Sequence, residues 1–423
     1  MYKKTARITA CVWLALQIIV MIVYWNHPAT NDDLSYCRRA LLTLEQGSTY
    51  PSMANLYDDY IHAPGLVNLL AAVYWVFGTF KANYVLNLLL NVGVLAEVYY
   101  LGKKVFNQRV ACLSVIFYCC ILSHLFVPLH NISDHPAYFL SLSGLCLCMG
   151  KRWWLLVAAG LLFAAAYTFR PTVMAFVACG AVYLLLHRAR WTSFVALFAT
   201  FFVALVLVGE HNRNQTGIFV TTSTLAGYGL AHSANPETQV YANVQVFDHP
   251  HNEVTYIPNR HRLTFAQKDS IWRARAANWI ANNPCAYAKL ALPRVLRSYS
   301  ADWWTLEDVV VVHDYDRAMR SDNPSRAMKL RRTKQFVESI PYYLVVLLFG
   351  FSLIINRSRI FSYQGGLLVI TALALGYATL SIAELRFHYA FVFVMVLWAA
   401  YGVDTWVQRR HVKRGENRQS AGV

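Results

Sequence analysis

Apolar runs long enough to cross a bilayer recur along the whole chain, and that recurrence narrows its possible folds more than any other feature. A crossing helix needs roughly 17 to 25 apolar residues. Segments of that kind fall at 9–25, 83–101, 110–128, 153–169, 171–187, 191–209, 339–356, 364–381 and 387–406, with a shorter one at 136–150. Only 14% of the 423 residues are charged and 57% are hydrophobic, whereas soluble domains carry about 25% charged residues. Lipid offers no partners to an irregular backbone, so the expected fold class is an all-α polytopic membrane protein of about ten transmembrane helices.

The side each loop faces follows from its basic residues, because Lys and Arg collect in cytoplasmic loops. GKKVFNQR (102–109), GKRWW (150–154) and HRARW (187–191) all fall inside only if GLVNLLAAVYWVFG at 65–78 is not a crossing. That segment is then expected to lie along the outer interface as a short amphipathic or re-entrant helix. The N-terminus, NRSR (356–359) and the tail QRRHVKRGENR join the cytoplasmic side. The expectation is a multi-pass protein of the cell (inner) membrane with both termini cytoplasmic. One basic cluster, SRAMKLRRTK at 325–334, falls on the outer side, where long translocated loops tolerate charge. The net charge of +16 arises from these short clusters between apolar runs, a pattern that fits anionic lipid headgroups and not nucleic acid. MYKKTAR and the apolar run behind it are too long and bulky for a signal-peptide core, so they read as an uncleaved first span.

Three parts follow from this layout. Residues 1–209 form an N-terminal membrane module with a first outer loop at 26–82, 210–338 an extracytoplasmic region, and 339–423 a C-terminal membrane module with a basic tail. In the middle part, TFAQKDSIWRARAANWIANNP predicts a helix capped by Thr264 and Gln267 and ended before Pro284. TQVYANVQV alternates with period two and predicts a short strand, making this region α+β. The nine cysteines, Cys112, Cys119, Cys120, Cys146 and Cys148 among those inside apolar stretches, show no metal-ligand spacing, so neither a disulfide nor a zinc site is expected from them.

Chemistry is expected where charge meets the outer surface. Asp32 and Asp33, in HPATNDDLSYCRRALLTLEQG, follow the first span, and Asp134 in HNISDHPAY lies on the same side. Solvated loop charges and an ordinary helix start before Pro136 would explain them as well. Two like charges side by side near lipid are expected to raise one of their pKa values. Arg170, in FRPTV, sits at an outer helix end that disfavours arginine; it either snorkels to headgroups or binds a phosphate through its guanidinium fork. Glu384, Arg386, His388 and Tyr389 crowd the outer end of the last span. Two arginines facing carboxylates at one surface suit an anionic, lipid-linked substrate. His62 in YIHAPG, the Gly-rich TLAGYGLAHSANP and the pair Trp303–Trp304 are weaker candidates, each equally read as interfacial or loop structure.

The chain resembles, in collinear order over most of its length, the GT-C superfamily of polytopic glycosyltransferases, in particular its protein O-mannosyltransferase and aminoarabinose-transferase-like branch. NDDLSYCRRALLTLEQGSTY is similar to the acidic motif and juxtamembrane helix, IHAPGLVNLLAAVYWVFG to the second juxtamembrane helix, YYLGKKVFNQRVACL to the basic cytoplasmic turn and FRPTV to the arginine-proline pair. NQTGIFVTTSTLAGYGLAHSANP, WIANNPCAYAKLALPRV and ELRFHYAFVFVMVLWAAYGV continue the likeness. The acidic pair departs from the family in being Asp-Asp and not Asp-Glu, and Asp134 stands where glutamate is common.

The resemblance implies a GT-C-like helical bundle that transfers a sugar with inversion from a polyprenyl-phosphate donor to a glycan, lipid or protein acceptor. It implies Asp32 as general base, four residues before Tyr36, with Asp33 as close second or as an orienting partner. Asp134 would help place the acceptor or bind a metal, Arg170, Arg386 and His388 would bind the donor phosphate, and Tyr36, His62 and Tyr389 would contact substrate. No cofactor is required by the sequence, and a divalent metal ion stays open. A lipid-linked sugar flippase or transporter, or an envelope polysaccharide ligase, is the competing expectation. A transporter would carry charges near the midplane, and Glu97 is the main residue of that kind.

Overall fold

The computed structural model describes residues 2–27, 31–150, 152–241, 243–302, 304–310 and 323–420. Among these the chain is built of helices and connecting turns without a strand. The first half comprises α1 (Tyr2–Val23), α2 (Asn31–Glu45), α3 (Pro64–Phe77), α4 (Ala82–Leu101), α5 (Gln108–Cys120), α6 (Ser123–Phe126), α7 (Asp134–Cys148), α8 (Trp153–Phe169), α9 (Met174–Leu186) and α10 (Trp191–Thr216). Five more helices follow: α11 (Leu225–Ser233), α12 (Phe265–Asn282), α13 (Pro284–Lys289), α14 (Ala291–Ser298) and α15 (Trp304–Val310). The last four are α16 (Pro324–Glu338), α17 (Ile340–Ile355), α18 (Leu368–Leu380) and α19 (Val392–Ser420).

Four helical stretches are long and apolar enough to cross a membrane: Tyr2–Val23, Ala82–Phe106, Trp191–Thr216 and Leu385–Val412. Two bent pairs, α5 with α6 and α16 with α17, raise the number to six. The other expected crossings are shorter helices, with 15 residues in α7 and 17 in α8. Helix α3 has 14 residues, about 21 Å at 1.5 Å per residue. That is short of a 30 Å hydrocarbon core, as are α7, α9 and α18 with 15, 13 and 13 residues. Close approach knits the bundle: a Cβ on Gly160 of α8 would lie 2.6 Å from the Leu197 carbonyl oxygen of α10, so only glycine fits there.

One segment breaks the helical pattern inside the bundle. Between α5 and α7 the chain turns irregularly through residues 121–133, buried along most of its length. Three asparagines of α4, one turn apart on one face, hold this break. Asn83 donates to Asn131 Oδ1 at 2.9 Å, Asn87 to the His130 carbonyl at 2.7 Å, and Asn91 to the His124 carbonyl at 2.8 Å. All three are essentially fully buried. Irregular backbone is tolerated at such depth only where protein groups satisfy it.

The predicted helix in the middle region is α12, with Thr264 and Gln267 forming the capping box and Pro284 opening α13. The expected strand at 238–246 does not form. The chain instead bends, and Val244–Asp248 winds into a 3-10 turn. That turn buries Val246 and Phe247, with Phe247 stacked on Tyr228 at 4.3 Å and edge-on to Trp272 at 5.2 Å. Among the described residues of that stretch Val246 is buried and Val244 is exposed, so the alternation does not mark one buried face. The region is fastened to the first loop by the buried Lys268, which donates to the Tyr57 carbonyl at 2.8 Å and pairs with Asp59 at 3.1 Å.

Asn87→Leu leaves two buried carbonyls, those of Pro128 and His130, without their donor. Thermal unfolding in detergent should show a loss of about 1–3 kcal/mol, whereas Leu89→Ala, on the outward face of the same helix, should change little. Equal effects of the two substitutions would contradict this role for α4.

Candidate functional site

Helix α2 places its two aspartates on different faces, since consecutive helical residues are about 100° apart. Asp33 points inward and is fully buried. Its Oδ1 accepts the Asn131 backbone N–H at 3.0 Å, and Oδ2 lies 3.8 Å from His130 Nδ1. Asp32 points the other way and pairs with Arg386 while half of its side chain stays accessible. One turn on, Tyr36 reaches Ser133 Oγ at 3.4 Å.

Arg170 arrives from the opposite side. Pro171 disfavours a helical conformation for the residue before it, and Arg170 accordingly ends α8 extended, at φ −153 and ψ 132. Its side chain thereby turns toward the start of α7, where Nε donates to Ser133 Oγ at 3.2 Å and Nη2 to Asp134 Oδ2 at 2.6 Å. Asp134 occupies the first turn of α7, where the helix dipole favours an anion. Arg386 comes from the 3-10 segment Leu385–Phe391, and its Nε is buried with no hydrogen-bond partner.

Four chain segments thus meet in two arginine–carboxylate pairs, with Ser133 between Tyr36 and Arg170. Asp134 and Arg170 border a narrow groove whose walls include Tyr138, Val173, Phe176 and Phe391. Phe387 closes one side of it, its ring centroid 6.0 Å from the Arg170 guanidinium. The arrangement is a polar head beside an apolar slot. Two guanidinium groups, each paired with a carboxylate, form that head.

Asp32, Tyr36, Asp134, Arg170 and Arg386 are brought together as the sequence predicts. His62 lies beneath them, its Nε2 3.2 Å from Ser35 Oγ and its ring 5.0 Å from that of Tyr36. His388 and Tyr389 go elsewhere, against the expectation that they line the site. His388 is buried with Nδ1 2.8 Å from the Ser298 carbonyl and Nε2 3.2 Å from Asp302, so both ring nitrogens are engaged within the protein. Tyr389 is buried with its hydroxyl 2.8 Å from His135 Nδ1. Trp303 lies outside the described residues, and Trp304 is buried against His130 and Tyr389. Ser133 and the asparagines of α4 were not anticipated. Their signal was the spacing of Asn83, Asn87 and Asn91 in an apolar stretch.

The acidic pair behaves differently from two repelling neighbours. The Arg386 guanidinium holds the Asp32 carboxyl below the usual carboxylate range, more than offsetting its burial, with Arg170 and His62 adding to the effect. The raised value expected from adjacency does not arise at Asp32, because its partner across the site is closer in effect than its neighbour in sequence. Burial pushes the His62 imidazole down to about 3, helped by Arg39.

No protein-family model matches the chain, and no curated protein does. Among solved structures, the Archaeoglobus fulgidus oligosaccharyltransferase in its apo form aligns with a TM-score of 0.48 at 13% identity, over 98% of this chain and 52% of that one. The archaeal oligosaccharyltransferase AglB of that organism, in complex with an inhibitory peptide and a dolichol-phosphate, gives 0.48 at 13% identity, over 99% and 52%. ArnT from Cupriavidus metallidurans bound to undecaprenyl phosphate gives 0.42 at 12% identity, over 93% and 77%. The chain spans about half the length of the archaeal enzyme. A likeness of this degree carries no argument about chemistry, which rests on the residues themselves.

His62 and Asp32 both tie stability to pH. For His62 the unfolded chain takes up a proton near 6.5 and the folded one only near 3, so stability falls as pH drops through that interval. Asp32, with its depressed value, contributes stability that is lost only below 3.8, as pH falls through its folded value. Thermal scans should therefore show stability declining as pH falls from 6.5, with a shallower slope in His62→Gln. Parallel slopes for the two proteins would contradict a neutral, buried His62.

Proposed function

We propose that this chain is an inverting glycosyltransferase that moves a sugar from a polyprenyl-phosphate carrier to an acceptor hydroxyl or amide at the non-cytoplasmic face. The observation that supports this most strongly is the meeting of the Asp32–Arg386 and Asp134–Arg170 pairs beside an apolar groove. In this reading the carrier phosphate takes its place between Arg386 and Arg170, and the polyprenyl chain lies along Tyr138, Val173 and Phe176. Guanidinium groups suit a phosphate that gains charge as its bond to the sugar breaks.

Asp32 then acts as general base. When the phosphate engages Arg386, the carboxylate loses the charge that holds its pKa down and becomes a better proton acceptor. The acceptor atom attacks the anomeric carbon, the bond from that carbon to the phosphate oxygen breaks, Asp32 takes the acceptor proton, and polyprenyl phosphate leaves. Asp134 positions Arg170, and Asp33 positions α2 through Asn131. His388 anchors the Arg386 segment and does not touch the donor. Each site carboxylate faces a guanidinium in the resting protein. Ten crossings of an inner membrane, both termini cytoplasmic, an outer loop at 26–82 and an extracytoplasmic region at 210–338 complete the reading.

Transfer from a labelled polyprenyl-phosphate sugar tests it. Asp32→Asn should lower kcat by about 10²- to 10⁴-fold, and Arg386→Lys should raise KM for the donor. Asp33→Asn should act on stability and leave turnover per folded molecule nearly intact. Full activity of Asp32→Asn would end the assignment. A chain that moves labelled donor across vesicles without making a glycosidic bond is a flippase instead.

A further inference from the structure

We propose that Glu237, His249 and His251 form a binding site for a transition-metal ion, with Zn²⁺ the ion their chemistry favours. This site is separate from the arginine–carboxylate site and independent of the function proposed for it. One ligand atom from each of the three residues lies within 4.8 Å of the others. His249 Nδ1 is 2.7 Å from Glu237 Oε2, and His251 Nε2 is 3.2 Å from Oε1. Ligands around a tetrahedral zinc with bonds of about 2.0–2.1 Å stand roughly 3.3 Å apart, so small side-chain movements admit the ion. Two imidazoles and a carboxylate are a zinc-type donor set, and a fourth position is left for water.

Glu237 is held in place by a buried frame. Pro250 separates the two histidines, whose rings stack with centroids 5.4 Å apart. Asn252, buried behind them, donates to Glu237 Oε1 at 2.9 Å and to Asn235 Oδ1 at 3.0 Å. Asn235 in turn accepts the Glu237 backbone N–H at 2.9 Å and donates to the Ala231 carbonyl of α11 at 2.8 Å. Outer partners of this kind orient metal ligands and raise affinity. The His251 side chain is 73% exposed, which leaves an open path for the ion. Sequence reasoning looked for metal ligands among the cysteines and passed over the pattern of Glu237, His249 and His251.

A bound ion would also reach the Arg386 segment. Val240, three residues past Glu237, accepts the Ala383 backbone N–H at 2.9 Å. Closing the loop 237–251 on a metal would stiffen the approach to that segment.

The test uses the full chain in detergent, stripped with chelator and titrated with zinc chloride alone by calorimetry, with metal content read by mass spectrometry. One zinc per chain is expected. His251→Ala and Glu237→Gln should each weaken binding by about 100-fold or more, beyond the loss typical of an outer partner. Zinc bound equally by the wild type and both variants, or not bound by the wild type, overturns the proposal and leaves only Glu–His ion pairs. If the variants lose their fold, cobalt loading of the wild type decides. A tetrahedral spectrum without sulfur ligands supports the site, and its absence refutes it.

Discussion

A backbone that leaves the helix inside an apolar bundle must find its hydrogen-bond partners there, and the rest of this structure depends on how that is met at residues 121–133. Asn83, Asn87 and Asn91 of α4 bind the break from one side, while Asp33 accepts the Asn131 N–H from another. His135 adds a contact of 3.0 Å to the Asn87 carbonyl. Because the break is fixed, Ser133 and Asp134 emerge at a defined place. Only there can Tyr36, Arg170 and α2 converge on them. The polar groups of α4 are therefore the foundation of the site, although none of them lines it.

The two guanidinium–carboxylate pairs give the site its second property. Each pair satisfies its charges in the resting protein, and a phosphate could satisfy the same guanidinium groups in place of the carboxylates. A partner exchange of this kind would change the basicity of Asp32 when donor arrives and restore it when product leaves. Such coupling needs no movement of helices. It needs Asp32 to remain partly accessible, as it does, while Asp33 stays buried in its structural contact.

Much of the architecture was legible in the sequence because apolar length and basic loops are strong, local signals. The short helix at 65–78, the capping box at Thr264 and the pairing of Arg170 and Arg386 with acids are examples. What escaped depends on contacts distant in sequence. Which of Asp32 and Asp33 stays accessible and which is buried is set by contacts to Arg386 and Asn131, far along the chain. The burial of His388 follows from Ser298 and Asp302, and no motif announced it. At 238–246 the alternation was real, but among the described residues only Val246 is buried, so it does not mark the face of a strand. The asparagine spacing in α4 was visible and went unused, because polar residues in an apolar run were weighed as sites and not as partners for broken backbone.

The account stands on a lipid phosphate sitting between Arg170 and Arg386 with its chain in the adjoining groove. Photo-crosslinking with a polyprenyl phosphate that carries a reactive group on its first isoprene unit, mapped by mass spectrometry, addresses that directly. Labels on residues 137–141, 172–176 and 387–391, competed by unlabelled polyprenyl phosphate, are the predicted result. Labels confined to other faces of the bundle, with the groove unmarked, would contradict it.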